Sequence, residues 1–137
     1  MGTEGIQLYP GENPLGQYHV AINRRTTTGW APTVPPLTAL VTNFRLILYP
    51  QTRRRYKPAS IPSTYIVQVT EMDIGHYRGF RILLREGLKL YITVSWSQDR
   101  DLGEALKTML TVPLGNRFSR APSIQELQRL IQYIGGM

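Results

Sequence analysis

The sequence predicts a mainly β domain: barrel-like antiparallel sheet capped by a C-terminal helix. Three observations carry this reading. Short apolar stretches that alternate every second residue fill the chain up to residue 95. From residue 99 onward the hydrophobic period changes to 3.6. Strands come first and helices after, with no strand–helix–strand alternation, which is the order of an antiparallel domain.

The chain has 137 residues, expected to be one domain and a complete small protein, and it can bury most of its unfolded surface without a disulfide or metal. Residues 6–9 are a short apolar entry ending at the turn pair Pro10-Gly11. Over 18–23, Tyr18, Val20 and Ile22 share one face and His19, Ala21 and Asn23 the other, as in a half-buried strand. Residues 29–36 read as a Pro-rich loop. Two apolar runs, 37–41 and 45–49, are hinged at Thr42-Asn43, and 50–58 is a basic loop. A further strand is expected at 66–71, with Gly75 and Gly79 flanking a turn.

Residues 80–85 and 88–95 predict a hairpin, with Phe80, Ile82 and Leu84 on one face and Leu88, Leu90, Ile92 and Val94 on one face of its partner. Glu86-Gly87 supplies the turn, where glycine takes positive φ without steric cost. The opposite faces carry Arg81, Arg85, Lys89, Tyr91 and Thr93, so they are expected to be solvated. Leu102, Ala105, Leu106, Met109 and Leu110 then form a helical stripe, with Asp99, Asp101 and Glu104 toward its start and Lys107 toward its end. After a linker begins a second helix, over 123–134, opened by the capping box Ser123-Ile124-Gln125-Glu126 and closed by Gly135-Gly136. The expected core is Val20, Ile22, Leu46, Leu48, Val69, Ile82, Leu84, Leu90, Ile92, Val94, Leu102, Leu106 and Met109.

Charge is distributed unevenly. Residues 13–70 contain no Asp or Glu, yet hold Arg24, Arg25, Arg45, Arg53, Arg54, Arg55 and Lys57, seven bases that equal the whole net charge of +7. A field of one sign concentrates an anionic partner without specifying it. Catalytic signals are absent. Cysteine is missing, and His19 and His76 stand apart with no metal-ligand spacing, so each reads as a surface or strand residue. No nucleophile elbow, P-loop or dinucleotide fingerprint occurs, and no enzyme activity, metal or cofactor is expected. No apolar run approaches the ~18 residues of a membrane span, and the N-terminus lacks the pattern of a secretory signal.

Thr42-Asn43-Phe44-Arg45-Leu46 resembles the Thr-Asn-aromatic-Arg-Leu core of GRAM and bacterial PH-like domains. Downstream, Ile61-Pro62-Ser63-Thr64-Tyr65-Ile66 followed by Val69 is similar to the family's Ile-Pro-x-x-x-Ile-x-x-Val stretch, and upstream Leu8-Tyr9-Pro10-Gly11-Glu12 is similar to its Leu-x-Pro-Gly-Glu opening. The resemblance spans residues 6–110 and implies a PH-like fold, with residues 111–137 adding a linker and an extra C-terminal helix. Two features depart from the family. The stripe over 102–110 lacks the tryptophan usual in the PH helix, with Trp96 standing before it. Lipid-binding PH domains carry Lys and Arg around the first hairpin loop, which on this reading is 10–17, where no base occurs. The resemblance therefore implies the fold and not the inositol-phosphate pocket. From the residue pattern, Phe44, Leu46 and Leu48 point inward, and Arg45 is expected to snorkel with its head in water.

The function expected is a non-enzymatic binding module, cytoplasmic or peripheral to a membrane. Arg53, Arg54, Arg55 and Lys57, with Tyr56 at headgroup level and Arg24 and Arg25 helping, are the candidate contacts to an anionic lipid surface. The alternatives are a protein–protein adaptor, a homo-oligomer, or a basic loop that serves only solubility. Nucleic acid, which such a cluster also contacts, ranks behind these.

Overall fold

The computed structural model describes residues 7–32, 37–50, 59–85, 87–95 and 97–111. Eight strands form one antiparallel sheet: β1 (Pro14–Thr26), β2 (Gly29–Pro32), β3 (Leu37–Thr42), β4 (Arg45–Pro50), β5 (Ala59–Pro62), β6 (Ile66–Ile74), β7 (Tyr77–Leu84) and β8 (Lys89–Val94). A 3-10 turn, Ser63–Tyr65, joins β5 to β6, and helix α1 (Asp99–Thr111) follows β8. The strand order is β5-β4-β3-β1-β8-β7-β6, with β2 paired to β1, so the sheet is bent but not closed between its β5 and β6 edges. This is a mainly antiparallel β fold capped by the helix that follows its last strand.

The bend belongs to β1. Its first half pairs with β3, from Pro14↔Thr42 to Val20↔Leu37, across a bulge between Pro14 and Gly16. Its middle pairs with β8, from Val20↔Val94 to Asn23↔Tyr91. One long strand thereby serves both halves of the sheet, and bulges of this kind increase local twist. Tyr18, Val20 and Ile22 line the inside, as their alternation predicts.

The expected β7–β8 hairpin forms, pairing Phe80↔Ile92 and Ile82↔Leu90; β7 ends at Leu84, one residue before the expected strand end, and Gly87 takes φ +84°. Gly79 is not a turn residue; it lies inside β7, opposite Met72 of β6 and Thr93 of β8. A Cβ there would collide with the Ile92 carbonyl oxygen, so glycine permits the close strand approach. Gly75, at φ +62°, makes the β6–β7 turn.

Leu102, Ala105, Leu106 and Met109 of α1 are buried in the same cluster as the inner residues of β1, β3, β4, β7 and β8. Asp99 and Asp101 occupy the first turn of α1, and no base stands in its last turn. The Tyr18 hydroxyl donates to the Asp101 carboxylate (3.1 Å), tying the helix start to β1. Burial and that neighbouring carboxylate push the phenol up to about 12. All expected core residues are buried except Val69, which packs partly buried against the cluster.

Several expectations are corrected. Gly29–Pro32 is a strand rather than part of a loop, and Ala59–Pro62 is a strand that period-two reading did not detect. β3 buries both faces along its length, Thr38, Leu40 and Thr42 as well as Leu37, Ala39 and Val41, so no simple wet face exists there. On the outer face of β8, Thr93 is buried and accepts a hydrogen bond from Asn23 Nδ2 at 3.0 Å, while Arg81 and Tyr91 are half-buried. The second helix expected over 123–134 lies outside the described residues.

Candidate functional site

Two regions concentrate polar chemistry, one at each end of the sheet. At the helix end, the chain's two most distinctive motifs dock on each other. Arg45 donates through Nε to Glu12 Oε2 at 2.8 Å and through Nη2 to Glu12 Oε1 at 3.2 Å. The Thr42 hydroxyl donates to Glu12 Oε2 at 2.6 Å, and the Tyr9 backbone N–H donates to Glu12 Oε1 at 2.9 Å. Arg45 Nη1 reaches the Ser60 hydroxyl (3.0 Å), and Nη2 the Gln7 carbonyl (2.9 Å). The guanidinium also lies 4.5 Å from the Tyr9 ring centroid.

The Glu12 side chain is fully enclosed and that of Arg45 is 11% exposed, which overturns the expectation of an arginine head in water. Burial alone would raise the Glu12 carboxyl, but hydrogen bonds from Arg45, Thr42 and Tyr9, with the Arg45 charge, outweigh it and hold the group below its ordinary value. Asn43 completes the join: its Oδ1 accepts from the Asn13 N–H at 2.7 Å and its Nδ2 donates to the Gly11 carbonyl at 3.1 Å. All three nitrogens of the Arg45 guanidinium are engaged here. This network fastens the N-terminal segment to the β3–β4 turn and is architecture.

At the opposite end, strand pairing gathers three connections. The β1–β2 hairpin turns at Thr27–Thr28, where Thr26↔Gly29 is the last pair. The β7–β8 turn lies beside it, because β8 begins where β1 ends. The β4–β5 connection leaves at Pro50, opposite Leu37, and returns at Ala59, opposite Leu48. Arg24 and Arg25 flank the first turn; Arg85 and Lys89 flank the second; all four are exposed. Arg53, Arg54, Arg55, Tyr56 and Lys57 lie outside the described residues.

Among the described residues this end holds bases and no acid. The described acids sit elsewhere: Glu12 in the buried network, Glu71 and Asp73 on the second half of β6, and Asp99, Asp101 and Glu104 on α1. Arg78 is paired with Glu71 and Asp73, whereas no ion pair among the described residues involves Arg24, Arg25, Arg85 or Lys89. The first hairpin therefore does carry bases. It turns at Thr27–Thr28 rather than at residues 10–17, and this Thr-Thr turn lacks the usual Asn-Gly signature.

Sequence reasoning also missed an aromatic patch on the outer face of this end. Trp30 of β2 and Tyr91 of β8 have ring centroids 4.8 Å apart at 58°, and the Arg25 guanidinium lies 5.7 Å from the Trp30 centroid. Arg81 stands opposite Tyr91 in register, its Nε buried with no hydrogen-bond partner among the described residues. Only the pairing Arg25↔Trp30 and Asn23↔Tyr91 brings these residues onto one face, so no local signal could reveal them.

A groove runs between α1 and the β6–β7 side of the sheet, about 680 Å³, lined by Val69, Glu71, Phe80, Arg100, Gly103, Glu104, Lys107 and Leu110 among others. The outer edge of β6 pairs with no strand among the described residues, and Val67 on it is 58% exposed. No group of three or more potential metal ligands occurs among the described residues; His19 lies on β1 and His76 in the β6–β7 turn. No described helix is long and apolar enough to cross a membrane.

No protein-family model matches the chain, and no curated protein sequence matches it. A solved structure is similar: the crystal structure of the C-terminal domain of an unknown protein from Leishmania infantum, at TM-score 0.57 and 14% identity, covering 74% of this chain and 88% of that one. At that identity the likeness concerns the fold alone.

Proposed function

We propose that this chain is a non-enzymatic binding module of the GRAM and PH-like kind, whose base-rich end makes a weak, salt-sensitive contact with an anionic lipid surface. The observation that carries the reading is the segregation of charge among the described residues: Arg24, Arg25, Arg85 and Lys89 are exposed and in no ion pair at one end, while the described acids lie toward the helix end. Beside an anionic leaflet each such base contributes about 1 kcal/mol, and the contact fades as salt shortens the Debye length to about 8 Å. The Arg53-Arg54-Arg55 cluster belongs to the connection anchored at this same end by Pro50 and Ala59.

The test is co-sedimentation with vesicles of phosphatidylcholine, with and without phosphatidylserine, at low and physiological salt. Binding should require the anionic lipid and weaken with salt. Arg24→Ser with Arg25→Ser should reduce it, and adding Arg53→Ser, Arg54→Ser and Arg55→Ser should abolish it while the thermal unfolding midpoint holds. Indifference of the unsubstituted protein to anionic vesicles at low salt sinks the proposal.

A second reading, an adaptor for an extended peptide or a homo-oligomer, is favoured by the groove beside α1 and the β6 edge, which pairs with no strand among the described residues. Such binding would tolerate salt and ignore the arginine substitutions, so the same salt series separates the two.

A further inference from the structure

We infer that Trp30 is the interfacial anchor of this end: docked on an anionic bilayer, its indole enters the headgroup region while Arg25 and its neighbours hold phosphate. The inference rests on the membrane reading above and names the part of the contact that is not electrostatic.

The geometry places an amphipathic ring where a bilayer would meet it. Trp30 sits on β2, a four-residue strand whose pairing partner is β1, two residues past the hairpin turn. It is half-buried against Tyr91, so one part of the ring is braced by the sheet and another stays accessible. Indole and phenol combine an apolar body with a polar tip and concentrate at the headgroup level of bilayers. The exposed Arg25 lies over the same ring at 5.7 Å, so the base that would meet a phosphate is already coupled to the side chain that would enter beside it. The register carried two residues past Asn23↔Tyr91 puts Lys89 level with Arg25, adding a second base on the adjoining strand.

A soluble polyanion would meet the same bases, but the ring is poorly disposed for it. Stacking of a nucleobase needs an open aromatic face. Here the Arg25 guanidinium lies 5.7 Å from the indole centroid and the Tyr91 ring 4.8 Å from it at 58°, so neighbours already crowd the ring. A bilayer requires only that part of the ring stay accessible.

The chain has two tryptophans and no cysteine, and both facts serve the test. In a Trp96→Phe variant Trp30 is the only indole. On addition of phosphatidylcholine–phosphatidylserine vesicles its emission should move to the blue, and lipids brominated on the acyl chain near the headgroup should quench it. Neither should happen with phosphatidylcholine alone or with a single-stranded oligonucleotide. Trp30→Ala should weaken vesicle binding several-fold and leave the remainder more salt-sensitive. Should the Trp96 variant fold poorly, Thr28→Cys in the exposed turn, labelled with an environment-sensitive dye, reports the same end and should respond in the same way. Co-sedimentation without a blue shift or quenching, by either reporter, overturns the inference and leaves the electrostatic reading standing. A shift elicited by the oligonucleotide also overturns it. Absence of co-sedimentation removes both.

Discussion

Arg45 holds both carboxylate oxygens of Glu12, at 2.8 and 3.2 Å, across 33 residues of chain. The pair is nearly dry, and Thr42, Tyr9, Ser60 and Gln7 add further hydrogen bonds to it. Such a pair stays ionised because each desolvated charge has its partner and its donors or acceptors.

Removing both partners should therefore cost less than the two single removals added together. Arg45→Met strands a buried carboxylate and should lower unfolding free energy by about 3–5 kcal/mol. Glu12→Gln strands the guanidinium. The double variant should be destabilised by less than the sum of the two, by about 0.5–3 kcal/mol, the range seen for contacting residues. Additive losses in urea unfolding would show that the pair is not coupled.

The same carboxyl gives the protein an acid limit. Its pKa is lowered in the folded state from an ordinary 4.5, so the native state prefers it ionised. That preference contributes stability which is fully present above the unfolded value and is lost as pH falls through the lower folded value. The stability gap between wild type and Glu12→Gln should be constant near neutral pH and shrink steadily below pH 4.5, read from urea unfolding at a series of pH values. A gap that ignores acid would mean the carboxyl is not held as the geometry implies.

Leu106 tests the helical cap. It is 1% exposed, between α1 and the inner face of the sheet. Leu106→Ala should cost about 2–5 kcal/mol, the cost of a core cavity. A loss under about 0.5 kcal/mol, typical of surface changes, would show that α1 does not close the sheet.

Much of this architecture is written locally. Alternation in 18–23 and 80–95, the apolar run 37–41, the Gly87 turn and the 3.6-residue stripe of α1 are properties of neighbouring residues, and each element forms where they place it, within a few residues at its ends. The acid-free stretch is equally visible in one dimension. What the chain does with its charges is not. Arg24 and Arg45 have the same residue type in the same stretch, yet one is exposed and the other is locked to Glu12, because only folding brings the N-terminal segment against the β3–β4 turn. Trp30 and Tyr91 lie 61 positions apart in number and meet only through the pairing of β1 with both β2 and β8. Local sequence determined which segments are strands and helix, since backbone propensity and face periodicity act between near neighbours. The tertiary structure decided which charges are neutralised, which aromatics adjoin them and at which end of the sheet the exposed described bases gather, since those depend on strand order and register, set by the burial of the whole core.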